Sequence, residues 1–325
     1  MLFQTYYRLD PWEFEPKLYD LRPIVIGDAP KTFSIRYENP IDEDLDPVLH
    51  VLMTCDLDVP VELTPVFSKG GNWRIGTKES FPAGYEPFLT DACKKLDRFA
   101  TAAFNQLRWR IGIMGGPVRL MSEWIGMLWQ NPNEARHKDG FLSSQVPFGG
   151  KTLSLDWGTV TIPKNCSVRM VQPLGHSLLR EAWNNRENSP QSALVIGIAA
   201  AEVGFKEAVS DLLPATTWLM DHVPSPPLDK MLREFMETLP ARQTISGAVC
   251  RPPKSVISAI KQGIELRNEV VHRKAEELDD VVIQKTLNAV RDLLYLLDYY
   301  RGETWALEQI SPGVLADLNS PRPAR

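Results

Sequence analysis

The chain has 325 residues, 43% of them hydrophobic, which is enough to bury one large core or two. A net charge of -5 and a pI of about 5.7 exclude binding to nucleic acid or anionic membranes through whole-molecule electrostatics, so such binding needs a local basic patch. The four cysteines form no CxxC pair, which favours neither a zinc site nor a disulfide framework. The start lacks a signal-peptide pattern, and the longest apolar run, Ala193 to Ala201, is too short to span a bilayer. We therefore expect a cytoplasmic protein without a membrane contact.

Residues 1–171 are predicted to form a β-rich domain of the α+β type, because short β-branched or alternating runs recur between proline, glycine and aspartate residues. Two helical patterns interrupt these runs, at Pro87–Trp109 and Val118–Gln130. The candidate strands are Ile24–Gly27, Thr32–Tyr37, Val48–Thr54, Val59–Phe67 and Thr152–Ile162.

A basic and aromatic segment lies inside this region. Lys94 to Arg119 contains six basic residues and one acid, with Phe99, Phe104 and Trp109 between them. Such side chains can hold single-stranded RNA through phosphate contacts and base stacking. The alternative is an amphipathic helix with a basic outer face, and the sequence leaves both interpretations open.

From about Gln172 the pattern changes to long helical periods, which predicts a domain boundary there and an all-α bundle over residues 172–303. The whole chain is therefore expected to be a multidomain α+β protein. Residues 304–325 contain three prolines and are expected to form a loose tail. The predicted helices are His176–Trp183, Gln191–Leu213, Leu228–Leu239, Lys254–Arg273 and Asp279–Tyr300.

Arg267 lies on the apolar stripe of the helix Lys254–Arg273, where another apolar residue is expected. A guanidinium at this position needs a carboxylate, a bound anion or an opening to solvent. Asn268 and His272 are four residues apart and share one face of the helix. The apolar members of the stripe are Ile257, Ile260, Ile264 and Val271.

Glu202 lies at the edge of the apolar stripe of the helix Gln191–Leu213, one turn before Lys206. It could form a surface ion pair with Lys206, worth roughly 0.2–0.5 kcal/mol. It could instead be the carboxylate that meets Arg267 in the interior. The small residues of this helix permit the close approach of a neighbour. The apolar stripe consists of Leu194, Ile198, Ala201, Phe205, Ala208 and Leu212.

From Arg267 to His272 the sequence RNEVVH resembles the signature of the HEPN superfamily (higher eukaryotes and prokaryotes nucleotide-binding). That signature is an arginine, a polar residue directly after it, and a histidine four to six residues further on. The helical layout of residues 176–302 is also similar to that of the family. The resemblance implies a homodimer in which two motifs face each other across a groove. Many members of the family are endoribonucleases that use neither metal nor cofactor, and the resemblance implies the same activity for this chain. The tyrosine that nucleotidyltransferase-paired members carry two residues after the histidine is replaced here by Lys274.

Metal-free RNA cleavage needs a group that takes the proton from the 2′-hydroxyl, a cation near the phosphorus, and a group that holds the phosphate in line. His272 suits the first role, or protonation of the leaving group, because a histidine pKa ordinarily lies near neutral pH. Arg267 suits the second role with its planar fork. Asn268 can donate to a phosphate oxygen or orient His272. The expected products are a 2′,3′-cyclic phosphate and a 5′-hydroxyl.

Residues 251–274 hold six basic and two acidic residues, a local positive patch on an acidic protein. Lys261, Arg273 and Lys274 are the candidate RNA contacts within this patch, and Glu202 and Lys206 are the candidate supporting residues. No other histidine has a partner at catalytic or metal-binding spacing, and no metal site is expected.

Two functions follow from these residues. The first is a HEPN-type endoribonuclease, which could act as a toxin or as a phage-defence effector. Its expected partners are RNA, a second copy of the chain and a regulatory protein. The second is a non-catalytic module that dimerises or binds nucleotide or RNA in the same groove. Residues 1–171 could be a sensor, a substrate guide or an inhibitor in either case.

Overall fold

The chain divides into two compact units in the computed structural model. The first unit comprises residues 1–106 and 118–170, and the second comprises residues 107–117 and 171–325. The structure describes residues 2–9, 24–25, 32–38, 48–65, 82–112, 114, 121–122, 128–130, 172–222, 227–272 and 278–320.

The described strands of the first unit form one antiparallel sheet. They are β1 (Leu2–Leu9), β2 (Ile24–Val25), β3 (Thr32–Glu38), β4 (Val48–Asp56), β5 (Met121–Ser122) and β6 (Leu128–Gln130). Their order is β2-β3-β4-β1-β5, and β6 also pairs with β1. Strand β4 lies between its two longest partners, because β1 and β3 pair with opposite edges of it.

The longest element of the first unit is helix α1 (Tyr85–Ile111), which has 27 residues. Ala92, Leu96 and Ala100 are buried on one face of α1, and the ring of Phe88 meets that of Phe3 edge to face at 5.7 Å between centroids. The opposite face is polar. The last residues of α1, from position 107 onward, belong to the second unit.

The predicted β-rich first domain, and with it the α+β fold class, is wrong. Helix is the predominant secondary structure of the part of the chain that the structure describes. Even in the first unit, three of the described strands have three residues or fewer, whereas most of the 27-residue helix α1 lies in this unit. Short apolar runs predict strands weakly, because the same run also fits a turn or a buried helical segment.

Two predicted elements of the first unit have a different structure. In the predicted strand Val59–Phe67, the described residues form a turn at positions 61–63, in which the amide of Thr64 donates to the carbonyl of Pro60. The described residues of the predicted helix Val118–Gln130 form the short strands β5 and β6. The predicted strand Thr152–Ile162 lies outside the described residues.

The second unit is a helical bundle. Its described helices are α2 (Leu174–Asn185), α3 (Pro190–Leu212), α4 (Thr217–His222), α5 (Leu228–Lys230), α6 (Lys254–His272), α7 (Asp280–Tyr300) and α8 (Pro312–Asn319). Shorter 3-10 and π segments occur at Pro214–Thr216, Met231–Phe235, Met236–Thr238 and Thr304–Gln309.

Helix α7 is the central element of the bundle and packs against α2, α3 and α6. From Ala289 to Tyr300 almost every side chain of α7 is buried, which is the pattern of a helix surrounded by neighbours. The six stripe residues predicted for α3 are all buried, so that prediction is confirmed.

Helices α2 and α3 meet backbone to backbone at two glycines. A Cβ atom built on Gly175 would lie 2.9 Å from the Cα of Gly204 and 3.1 Å from the carbonyl oxygen of Ala200. Real Cβ atoms almost never approach another heavy atom that closely. The expected close approach at the small residues of α3 is therefore confirmed.

Residues 304–319 correct the prediction of a loose C-terminal tail. They form a 3-10 helix at Thr304–Gln309 and helix α8, and Ala306, Ile310 and Leu318 are buried. The amide of Ser311 donates to Asp292 of α7 at 3.0 Å. Proline misled the prediction here, since Pro312 starts α8 in a position where its missing N–H costs nothing.

Candidate functional site

The candidate site lies on the last two turns of α6. The first half of α6 is anchored in the core, where a Cβ on Gly263 would lie 2.5 Å from Thr286 Cγ2 and 2.9 Å from Ile198 Cδ1. Beyond this contact the exposure of α6 rises, and Asn268, Glu269, Val271 and His272 are exposed. The motif residues therefore lie on the more exposed half of α6, which follows directly on the half that is anchored in the core.

Arg267 is held by Glu202 of α3. The Nη2 of Arg267 donates to the Oε1 of Glu202 at 3.0 Å, and the two side chains are 25% and 17% exposed. Of the two interpretations that the sequence left open, the structure thus shows Glu202 meeting Arg267. Lys206 lies one turn further along α3 and is partly buried.

The guanidinium of Arg267 retains N–H groups that have no hydrogen-bond partner among the described residues. Its Nε is buried and has no hydrogen-bond partner among the described residues, and its contact with Glu202 uses Nη2 alone. A guanidinium can form parallel hydrogen bonds to two oxygen atoms. The remaining donors of Arg267 can therefore serve a bound oxyanion.

Asn268 and His272 are exposed on the face that they share. Within the part of the chain that the structure describes, neither side chain has a hydrogen-bond partner, and neither is bonded to Arg267. The structure therefore brings Arg267 together with Glu202, and it leaves Asn268 and His272 accessible to a ligand or a second protein.

The predicted RNA contacts differ in their environment. Lys261 is exposed and its Nζ lies 3.6 Å from a carboxylate oxygen of Glu265, one turn along α6. Arg273 and Lys274 lie outside the described residues. Val271, expected on the buried stripe, is instead 58% exposed.

Of the aromatic side chains in the basic segment Lys94 to Arg119, the structure describes that of Trp109, which does not face solvent. Trp109 is buried, its Nε1 donates to Asp298 Oδ2 at 2.8 Å, and its carbonyl oxygen accepts from the hydroxyl of Tyr295 at 2.8 Å. The basic residues at positions 94, 95 and 98 are exposed. The described part of α1 therefore has exposed basic residues on one face and buried apolar residues on another, and both interpretations of the segment stay predictions.

Sequence reasoning missed a buried polar cluster around Asp298. Besides the indole of Trp109, this carboxylate contacts His176 Nε2 at 2.7 Å and Arg301 Nη1 at 3.3 Å. Burial, and then the charge of Asp298, raise the pKa of the neighbouring Tyr295 above its ordinary value. An aspartate inside the apolar run of α7 was the available signal, since buried charges need partners.

Comparisons with family models, with curated proteins and with solved structures find no match for this chain. Among the described helices, none is both long and apolar enough to cross a membrane.

Proposed function

We propose that this protein is a metal-independent endoribonuclease of the HEPN type. The observation that carries the proposal is the ion pair between Arg267 and Glu202, which fixes a cation at the edge of the bundle. On the same helix the side chains of Asn268 and His272 are exposed. A fixed guanidinium next to an accessible amide and imidazole is the set of groups that 2′-hydroxyl attack requires.

In the proposed reaction, His272 takes the proton from a 2′-hydroxyl, or protonates the leaving 5′-oxygen. The 2′-oxygen attacks the phosphorus, and the bond from phosphorus to the 5′-oxygen breaks. Arg267 donates to the phosphate oxygens on which charge builds up, and Asn268 holds the phosphate in line. The products are a 2′,3′-cyclic phosphate and a 5′-hydroxyl.

The proposal includes a homodimer. The motif of one chain contains a single histidine, His272, whereas proton removal from the nucleophile and proton donation to the leaving group need two groups. A second copy facing the first would supply the other one. Val271 at the end of α6 and Val281 at the start of α7 are exposed apolar side chains that such a contact would cover.

In the cell, such an enzyme would act on cytoplasmic RNA as a toxin or a phage-defence effector. A regulatory partner protein, or residues 1–171, would hold it inactive until needed.

The test compares four proteins on total RNA in excess EDTA: wild type, Arg267→Ala, His272→Ala and His222→Ala. His222 is a matched control, because it is also an exposed histidine, stacked on Trp218 at 4.6 Å between ring centroids. We expect cleavage by wild type and by His222→Ala, with a loss of about 100-fold or more in the other two variants. Cyclic-phosphate ends should appear on the cut RNA. Equal cleavage by all four proteins, or none by wild type, would contradict the proposal.

A second candidate is a non-catalytic module that binds RNA or a nucleotide at the same place. The observation that favours it is that Glu202 already neutralises the charge of Arg267, which weakens the cation for charge stabilisation. Such a protein binds RNA without cutting it and loses affinity in Arg267→Ala. Fluorescence anisotropy with labelled RNA, run beside the cleavage assay, separates the two candidates.

A further inference from the structure

Arg180 of α2 is a buried cation that has no ion-pair partner within the part of the chain that the structure describes. The residue is 7% exposed, and its Nη2 donates to the Oε1 of Gln172, which is a neutral amide. Among the described residues, no carboxylate oxygen lies within the 4.0 Å of an ion pair. Arg301, which is buried to a similar extent, differs because it pairs with both Asp211 and Asp298.

A second buried cation lies close to Arg180. Arg108 is 4% exposed. Burial, and then the charge of Arg108, lower the pKa of Arg180 from 12.5 to about 10. The positive charge of Arg108 thus disfavours the charged form of Arg180, and a buried guanidinium such as that of Arg180 is retained in proteins when an opposite charge is supplied to it.

Gln172 provides an independent observation. Its residue is 9% exposed, and its Nε2 is buried without a hydrogen-bond acceptor among the described residues. Its carbonyl oxygen is occupied by Arg180. If the amide of Gln172 were flipped, its N–H groups would face the N–H groups of the guanidinium, and two donors cannot bond to each other. The observed orientation is therefore the better one, and in it the amide nitrogen has no acceptor among the described residues. Arg180 and Gln172 thus share a need for an acceptor group that carries negative charge.

We propose that Arg180 and Gln172, beside Arg108, form a binding site for an oxyanion of the phosphate type. The fork of a guanidinium matches two oxygen atoms of such an anion, and an amide N–H can donate to a third. The site lies on α2 and the residues before it, so it is independent of the proposed ribonuclease motif on α6. The bound anion is either free inorganic phosphate or the phosphate group of a mononucleotide.

Thermal unfolding of the full chain tests this site. Inorganic phosphate and adenosine monophosphate are each titrated against chloride at constant ionic strength. For wild type we expect the Tm to rise with the logarithm of ligand concentration, by roughly 5 °C at about 100 times the Kd. Stronger stabilisation by the nucleotide would identify it as the source, and equal stabilisation would identify the free ion. The absence of a rise with either ligand would overturn the proposal.

Three variants make the test specific. Arg180→Met and Gln172→Leu should each lose most of the rise, whereas Arg233→Met should keep it, since Arg233 is exposed and pairs with Asp229. If Arg180→Met does not fold, Gln172→Leu decides the matter. A rise of equal size in wild type and in the folded site variants would show a general salt effect and would refute the site.

Discussion

Glu202 and Arg267 are each less than one-third exposed, so their ion pair is intermediate between a surface pair and a buried pair. Surface pairs contribute little because water and salt screen them, whereas removing one partner of a buried pair leaves an uncompensated charge. We predict that Glu202→Gln lowers the free energy of unfolding by about 1–2 kcal/mol. Urea unfolding followed by circular dichroism measures the change.

The matched control is Glu265→Gln on α6, which makes the same chemical change in an exposed pair with Lys261. This variant should change the free energy of unfolding by less than about 0.5 kcal/mol. Equal effects of the two substitutions would mean that the contact with Arg267 has no special energetic role.

The free energy of unfolding should depend on pH through the phenol of Tyr295. Because burial and Asp298 raise its pKa above the ordinary 10.0, the unfolded chain ionises this phenol at a lower pH than the folded chain does. The contribution of Tyr295 to stability is therefore complete below pH 10 and is lost as the pH rises towards the folded-state pKa, by up to about 1.4 kcal/mol per pH unit.

The variant Tyr295→Phe has no phenol that could ionise, so it does not lose this contribution to stability above pH 10. Near neutral pH the variant should be less stable than wild type by about 1 kcal/mol, because the hydrogen bond to the carbonyl of Trp109 is missing. Above pH 10 the difference between the two proteins should shrink. Urea unfolding at a series of pH values checks this, and parallel pH profiles of the two proteins would contradict it.

Helices α2 and α3 contact each other closely at their glycines, so a larger side chain at this contact should lower the stability of the protein. Gly175→Ala places a methyl group against the backbone of α3, which cannot move aside as a flexible side chain can. We expect a loss of about 1–3 kcal/mol, the usual cost of overpacking, although alanine favours helix more than glycine does. The Tm and urea midpoint measure it.

Gly313→Ala on α8 is the control for this substitution. It lies in the first turn of its helix, and a Cβ there would have nothing within 4 Å. Without a clash, only the gain in helix propensity remains, so this variant should be as stable as wild type or slightly more stable. A destabilisation equal to that of Gly175→Ala would rule out the packing explanation.

Across the whole molecule, the second unit is assembled from distant parts of the chain. Residues 107–117 belong to it, although more than 50 residues of the first unit separate them from α2. Trp109 is the anchor of this segment, since it bonds Asp298 and Tyr295 and meets the ring of Trp305 edge to face at 5.0 Å between centroids. The stability of the second unit therefore depends on an aromatic residue outside the predicted bundle.

We predict that Trp109→Phe destabilises the protein by about 2–3 kcal/mol, because it removes the N–H donor to a buried carboxylate and leaves a small void. Trp218→Phe is the matched control, since Trp218 is 69% exposed, and it should change stability by about 0.5 kcal/mol or less. Unfolding monitored by near-ultraviolet circular dichroism distinguishes the two. Similar losses in both variants would argue against Trp109 as the anchor.

The helical periods of the second unit could be predicted from the amino-acid sequence. The buried stripe of α3 follows from apolar side chains repeating every 3.6 residues, and that repeat is a local property of the chain. The first unit was predicted less well, because short apolar runs have no such period over enough residues. The loose tail was wrong for a related reason, since proline both ends and begins helices.

For the candidate site, the sequence determined that Arg267 needs an acceptor, because a charge on an apolar stripe cannot be left unpaired. The identity of this acceptor, Glu202 at 65 residues' distance along the chain, becomes visible in the folded protein. The same holds for His176 and Trp109, which meet Asp298 across 122 and 189 residues. Spacing along the chain describes one helix at a time, whereas a partner on another helix is defined only once the apolar faces have packed and set the angles between helices.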